Sequence, residues 1–191
     1  ANAHADSFIA VLQRENIPYQ FLGPNKLFES PEIVDLISYL KVLYDPTDSV
    51  SLSRVLTIEH LNLNPRDLAL FNSRARKNNS SLFEEVESDL QFSPITTLIK
   101  KHLKEKRDTS VGHILYDFLQ STGILNSLLD PDSADAQSKA ENISLFFEKI
   151  KAFEDVMLSG VGDKADIAFF KFCYIDILKS TDLNQVFESY K

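Results

Sequence analysis

Apolar residues recur at intervals of three and four positions along most of this chain, which is the spacing of one face of an α-helix. The clearest example follows Ser30-Pro31-Glu32. Ser favours the N-cap, Pro suits the first helical position, and Glu favours the positive end of the helix dipole. A helix is therefore predicted to begin at Pro31, with its buried stripe formed by Ile33, Leu36, Ile37, Leu40, Leu43 and Tyr44.

Polar caps and prolines divide the rest of the chain into further helices. Asp45-Pro46-Thr47-Asp48 is predicted to end the first helix, and Asp48 to cap a second whose Val50, Leu52, Val55 and Leu56 point inward. Gly123 is placed where a left-handed residue ends a later helix. The other predicted helices run over about residues 5–15, 65–76, 81–87, 110–121, 134–158 and 163–179, and one more begins at Ser93-Pro94.

This order of elements predicts an all-α fold. About seven to nine helices should form a compact orthogonal array, and the only strand expected is a short one at the N-terminal edge, over residues 19–22. The length of 191 residues with 43% apolar residues is enough for one good core. No apolar run approaches the roughly 18 residues of a membrane span, and there is one cysteine, so a cytoplasmic protein without membrane contact is expected.

Candidate chemistry is sparse. No Gly-rich phosphate loop ending in Gly-Lys-Ser/Thr is present, and Cys173 lies in an apolar helical segment, as a buried small residue would. Glu32 and Asp35 are three positions apart, but their place in the first turn favours a capping and dipole role over catalysis. We therefore expect no catalytic residue and no metal ligand, including among the histidines, which lack ligand spacing: His4, His60, His102 and His113.

A net charge of −8 argues against a domain that coats itself with nucleic acid, so any DNA contact must be local. The basic residues cluster in two places, and a solvated helix face is the ordinary explanation for each. As candidates for DNA contact these clusters contribute Arg74, Arg76 and Lys77, and Lys100, Lys101 and Lys104.

One stretch, residues 17–56, resembles a known family, the UvrD/Rep/PcrA-type superfamily 1 DNA helicases. The chain matches the pattern of that family in order and nearly constant register, at Ile17, Pro18, Tyr19, Gly23, Phe28, Glu32, Ile33, Asp35, Tyr39, Leu40, Pro46, Asp48, Arg54, Val55 and Leu56. The resemblance implies the 2B subdomain, an insertion in the second motor domain. Residues 1–24 would then belong to the parent 2A motor domain, residues 25–180 to the 2B-like domain, and residues 181–191 to the return segment.

The same resemblance implies a function for the fragment. A 2B-like domain is noncatalytic, contacts duplex DNA or a single-strand/duplex junction, and regulates unwinding by moving as a rigid body. Its partners would be the parent motor domains, with a regulatory protein as a further candidate. ATP and Mg are implied only for those motor domains, so no cofactor is expected in this fragment.

Helicases of this family follow the Arg-[Ile/Val]-Leu residues with a Gly-Ile-Gly turn that offers backbone amides to DNA phosphates. In the simplest register that turn falls on Asn62, Leu63 and Asn64, with Arg66 close behind. Asn tolerates positive φ, so the turn shape can persist without glycine. Three alternatives stay open: a plain Asn-Pro helix start, a protein-interaction or autoinhibitory module without DNA contact, and an unrelated helical enzyme domain, which would require a cleft lined by ionisable groups.

Overall fold

The computed structural model describes residues 27–128 and 133–160, with side chains given throughout except at 153 and 155–160. This part of the chain is helical and contains no strand, which confirms the all-α prediction. The predicted helices over residues 5–15 and 163–179 and the strand over residues 19–22 lie outside the described residues. In chain order the helices are α1 Pro31–Tyr44, α2 Ser49–Leu56, a 3-10 helix Glu59–Leu61, α3 Pro65–Asn78, α4 Leu82–Val86, α5 Ser93–Glu105, α6 Val111–Ser121, α7 Ile124–Ser127 and α8 Ala134–Gly160.

Helix α1 lies at the centre of the fold. It packs against α2, α5 and α8, while α2 also contacts α3 and α4, and α6 contacts α5, α7 and α8. Because α1 has neighbours on several sides, its buried face is wider than a single stripe. Tyr39 and Val42 are fully buried, whereas the predicted inward residues Leu40 and Tyr44 are only half-buried.

Helix α1 begins at Pro31 as predicted, but Ser30 does not cap it through its side chain. Ser30 has the extended backbone of an N-cap (φ −63°, ψ 131°), and its hydroxyl oxygen instead accepts a hydrogen bond from Nδ2 of Asn142 at 3.3 Å. The same Nδ2 donates to Oε1 of Glu32 at 2.7 Å. The start of α1 is therefore fastened to α8 by an amide from a distant part of the chain.

The cap on α2 is the one the sequence predicts. Oδ1 of Asp48 accepts hydrogen bonds from the amides of Val50 and Ser51, at 3.1 and 3.0 Å. The inward position of Val50 is a wrong prediction, because its side chain is 83% exposed. Ser51 is buried in its place, with its hydroxyl donating to Oδ2 of Asp48 at 2.6 Å. A helix of two turns has one inward face, and the Asp48 cap places Ser51 rather than Val50 on it.

One hydrophobic core joins the helices of the described part. Phe92 and Phe118 are fully buried in it, as is Phe146 of α8, whereas the neighbouring Phe147 is half-buried and packs against the core. Phe146 packs edge-on against Phe28, with ring centroids 6.2 Å apart. No helix among the described residues is long and apolar enough to span a bilayer.

Candidate nucleic-acid interface

The turn between α2 and α3 contains a left-handed residue. Asn62 follows the 3-10 helix with φ 49° and ψ 33°, and its amide donates to the carbonyl oxygen of Glu59 at 2.9 Å. Residues other than Gly rarely adopt this conformation, and Asn is among those that tolerate it best. Asn62 therefore keeps the backbone shape that glycine would otherwise provide at this position.

Asn64 behaves differently from Asn62. Its backbone is extended (φ −72°, ψ 120°), and its Oδ1 accepts a hydrogen bond from the amide of Arg66 at 3.0 Å. This is an ordinary N-cap for α3, in front of Pro65 at the first helical position. The Asn-Pro helix start is thus what Asn64 forms, and only the first of the two asparagines takes a glycine-like conformation.

The four residues of the predicted contact lie together on this turn. Asn62, Asn64 and Arg66 are exposed, and Leu63 is half-buried with its side chain against the core. Within the part of the chain that the structure describes, the guanidinium of Arg66 makes no ion pair. Asp67 follows it directly in the first turn of α3. The turn is accessible, and its positive charge comes from Arg66.

The basic cluster on α3 lies at the opposite end of that helix. Arg76 is ten residues beyond Arg66, which corresponds to about 15 Å along the axis. Arg74 places its guanidinium 5.2 Å from the centroid of the Phe71 ring. Arg76 and Lys77 are exposed and have no carboxylate partner among the described residues. These cations are available, but the structure does not bring them onto the turn.

The basic cluster on α5 is largely neutralised. Nζ of Lys100 lies 3.0 Å from Oε2 of Glu87, and Nζ of Lys101 lies 2.8 Å from Oδ2 of Asp117. Lys104 is exposed, without an ion-pair partner in the described ranges. Exposed ion pairs of this kind are weak, so a phosphate can replace the carboxylate partners of Lys100 and Lys101. Lys104 can contact a phosphate without breaking an ion pair.

A buried polar chain, which the sequence analysis did not predict as a unit, connects three helices. The hydroxyl of Tyr39 on α1 is 2.7 Å from Nδ1 of His102 on α5, and Nε2 of His102 is 2.8 Å from Oδ2 of Asp117 on α6. Tyr39 also stacks on Phe118, with ring centroids 3.9 Å apart. His102 lies three positions after Ile99 and seven after Ile95, so its helical spacing already indicated an inward position.

The protons of this chain can be assigned from its surroundings. Burial, followed by the charge of Asp117, raises the pKa of Tyr39 well above its usual range, so the phenol keeps its proton and donates to Nδ1 of His102. Nε2–H of His102 then donates to the carboxylate of Asp117. Every buried polar atom of the chain has a partner, and the arrangement fastens α1, α5 and α6 to one another rather than presenting a reactive group.

A second link joins α1 to α2. Nε of Arg54 lies 2.8 Å from Oδ1 of Asp35, and Nη2 of Arg54 donates to the carbonyl oxygen of Pro31 at 3.2 Å. Partial burial raises the pKa of Asp35, although Arg54 acts against that shift. With Glu32 held by Asn142, both carboxylates of the first turn have structural partners.

An open cleft of about 400 Å³ lies between the start of α1, the 3-10 helix and helices α6 to α8. Four of its ionisable groups already have partners, since Asp35 binds Arg54, Glu32 binds Asn142, and Lys139 pairs with Asp135. Within the described part of the chain, no group of side chains is arranged to hold a metal ion. Six ionisable groups line the cleft: Glu32, Asp35, Glu59, His60, Asp135 and Lys139.

The carboxylate of Asp117 makes the stability of the three-helix link depend on pH. The hydrogen bond from Lys101, reinforced by that from His102, holds the pKa of Asp117 below its usual range. The folded state therefore binds this proton more weakly than the unfolded state. The stability that Asp117 contributes is full above about pH 4 and is lost as pH falls through the lower folded pKa.

We expect Asp117→Asn to cost about 1 kcal/mol of stability at pH 7. In thermal unfolding, the difference in melting temperature between the variant and the native chain should close at pH 3. A gap that is as wide at pH 3 as at pH 7 would contradict this.

Comparison with known proteins bears on the whole chain. The family model of the UvrD-like helicase C-terminal domain matches residues 1–188. Among curated proteins, an ATP-dependent DNA helicase PcrA of Staphylococcus epidermidis is 26% identical over 165 residues, covering 81% of this chain and 22% of the relative. A PcrA of Staphylococcus aureus is 27% identical over 164 residues, with the same two coverages of 81% and 22%. The chain thus spans about a fifth of the length of the curated relatives it matches. The chain belongs to the UvrD-like helicase C-terminal domain family.

Proposed function

We propose that this chain is a 2B-like accessory domain of an ATP-dependent 3′-to-5′ DNA helicase. Residues 25–180 would form the domain, and residues 1–24 and 181–191 would connect it to the second motor domain. It performs no chemistry itself. It contacts duplex DNA or a single-strand/duplex junction and regulates unwinding by moving as a rigid body relative to the motor domains, which would bind ATP and Mg.

The packing of the described helices supports the rigid-body part of this proposal. Three side-chain links hold α1 to its neighbours: Arg54 binds Asp35, Asn142 binds Glu32, and His102 bridges Tyr39 to α6. Buried polar chains with every member satisfied favour one arrangement of the elements that they join. A domain built this way moves as a unit about its connections.

The observation that carries the DNA contact is the exposed turn before α3. Asn62 is left-handed there, the amide of Leu63 donates to no acceptor in the described part of the chain, and the guanidinium of Arg66 is exposed without an ion pair. A backbone amide and a guanidinium are both suitable donors for phosphate oxygens. The register of this turn with the helicase family adds to the argument.

A second candidate function is a protein-interaction or autoinhibitory module without direct DNA contact. The charge around the turn favours it, because Glu59 precedes the turn and Asp67 follows Arg66 directly. Asp89 adds a third carboxylate, which contacts Gln91 beside Asp67. The net charge of −8 also gives little long-range attraction for a polyanion. Such a module would bind a regulatory protein or the motor domains through the same face.

Amide chemical shifts measured during a titration with a DNA duplex carrying a single-stranded tail distinguish the two candidates. For DNA contact at low salt we expect the largest shift changes at Asn62, Leu63, Asn64 and Arg66, with smaller ones near Lys77 and Lys104. The same titration with a polyglutamate of similar charge is the control for nonspecific ionic effects. Shift changes with the duplex that avoid residues 62–66 would refute the assigned contact, and no change with DNA at all would favour the second candidate.

A further inference from the structure

A loop residue from beyond α4 reaches the start of α3. Phe92, which is fully buried, packs edge-on against Phe71 with ring centroids 5.2 Å apart. On α3, Phe71 shares a face with Asn64 and Asp67, seven and four positions earlier. The anchored Phe92 thereby places its neighbour Gln91 over the first turn of α3.

The side-chain amide of Gln91 bridges that turn. With the side-chain amide of Gln91 assigned in the orientation that satisfies both neighbours, its Oε1 accepts from the amide of Asn64 at 3.0 Å and its Nε2 donates to Oδ2 of Asp67 at 3.0 Å. The backbone amide of Gln91 is held in turn by Oδ1 of Asp89 at 2.8 Å. Hydrogen bonds therefore hold both the side-chain amide and the backbone amide of Gln91, although the residue is exposed.

The donors at the start of α3 are already used. The amide of Asn64 is bound by Gln91, the amide of Arg66 by Oδ1 of Asn64, and the amide of Asp67 by the carbonyl oxygen of Asn64 at 3.1 Å. Pro65 has no amide hydrogen. The carboxylate of Asp67, held in place by Gln91, adds a negative charge where the helix dipole would otherwise favour an anion.

We infer that Gln91 is an autoinhibitory contact that weakens the binding of DNA phosphate at this turn. Its Oε1 occupies the place at the Asn64 amide that a phosphate oxygen would take, and it holds the Asp67 carboxylate beside that place. This inference rests on the proposed function, since it concerns the same turn. Phosphate contact in the native chain then depends on Arg66 and the amide of Leu63, and becomes stronger when Gln91 is removed.

Gln91→Ala in the full chain tests this, with a labelled DNA duplex as the probe and fluorescence anisotropy as the readout. One additional charge-assisted hydrogen bond should tighten the affinity by about three- to tenfold. A backbone amide carries no charge and releases no counterion, so the slope of log K against log salt should stay the same. Gln137→Ala, an exposed glutamine on α8, is the matched control and should change neither quantity. Gln91→Met keeps the length of the side chain and should reproduce the effect of Gln91→Ala if that variant unfolds.

The possible outcomes separate the autoinhibitory role of Gln91 from the DNA contact on which it rests. If Gln91→Ala and Gln91→Met leave the affinity unchanged, or weaken binding, while Arg66→Glu weakens it, the autoinhibitory role of Gln91 is wrong and the DNA contact stands. If neither the Gln91 variants nor Arg66→Glu alter the affinity, the DNA contact at this turn is itself wrong. Tighter binding for the two Gln91 variants, with Gln137→Ala unchanged, supports the inference.

Discussion

Replacing His102 with alanine is expected to lower the free energy of unfolding by about 3–5 kcal/mol, the range for opening a large cavity in a core. His102 is 1% exposed, and both of its ring nitrogens are hydrogen-bonded. Its removal leaves the hydroxyl of the fully buried Tyr39 without its partner and deletes the polar link between α1 and α6. Equilibrium unfolding in urea measures the loss.

Two variants bracket the His102→Ala result. Tyr39→Phe deletes only the hydroxyl and leaves Nδ1 of His102 without its donor, so it should cost about 1–3 kcal/mol. Lys104→Ala, on the exposed side of the same helix, should change stability by less than about 0.5 kcal/mol. If His102→Ala destabilised the chain no more than Lys104→Ala does, the buried chain would not be what joins the three helices.

Much of the fold was predictable because the start signals are local. Asp48 caps α2 through its own neighbours, and Gly123 adopts φ 77° where a left-handed residue was predicted. Predictions failed where a distant residue decides the outcome. Ser30 is bound by Asn142 of α8 instead of capping α1, and no local pattern contains that information.

The family pattern in the sequence turns out to be largely structural within the described residues. Asp35 and Arg54 pair with each other across α1 and α2, and Asp48 is a cap. Tyr39 supplies one end of the buried chain through His102. The spacing of these residues indicates the family because their positions preserve the packing of α1 against α2.

The candidate site was only partly predictable. The left-handed backbone of Asn62 follows from the known tolerance of Asn for positive φ, and the cap at Asn64 follows from the Asn-Pro pair. The contact of Gln91 with Asn64 and Asp67 could not be foreseen, since it depends on Phe92 packing on Phe71 from a separate segment. Local sequence signals predict the turn itself, whereas the contact that Gln91 makes with it depends on tertiary packing.

Reversing the charge at the turn, with Arg66→Glu and Asn64→Asp together, is expected to weaken duplex binding by about tenfold at low salt. Loss of one charge-assisted hydrogen bond accounts for about that factor, and the added carboxylates repel phosphate. Asp is as good an N-cap as Asn, so α3 should remain intact. The effect should fade as added salt screens the charges.

The DNA contact at residues 62–66 is tested most directly by the dissociation constant of a labelled duplex, measured across a salt series for this Arg66/Asn64 variant. The matched control is Lys151→Glu with Gln137→Glu, which makes the same total change of charge at exposed positions of α8. A DNA contact at this turn predicts about tenfold weaker binding and a salt slope shallower by about 0.9 for the turn variant, with a much smaller effect for the control. Equal affinities for the turn variant and the control would contradict a DNA contact at residues 62–66.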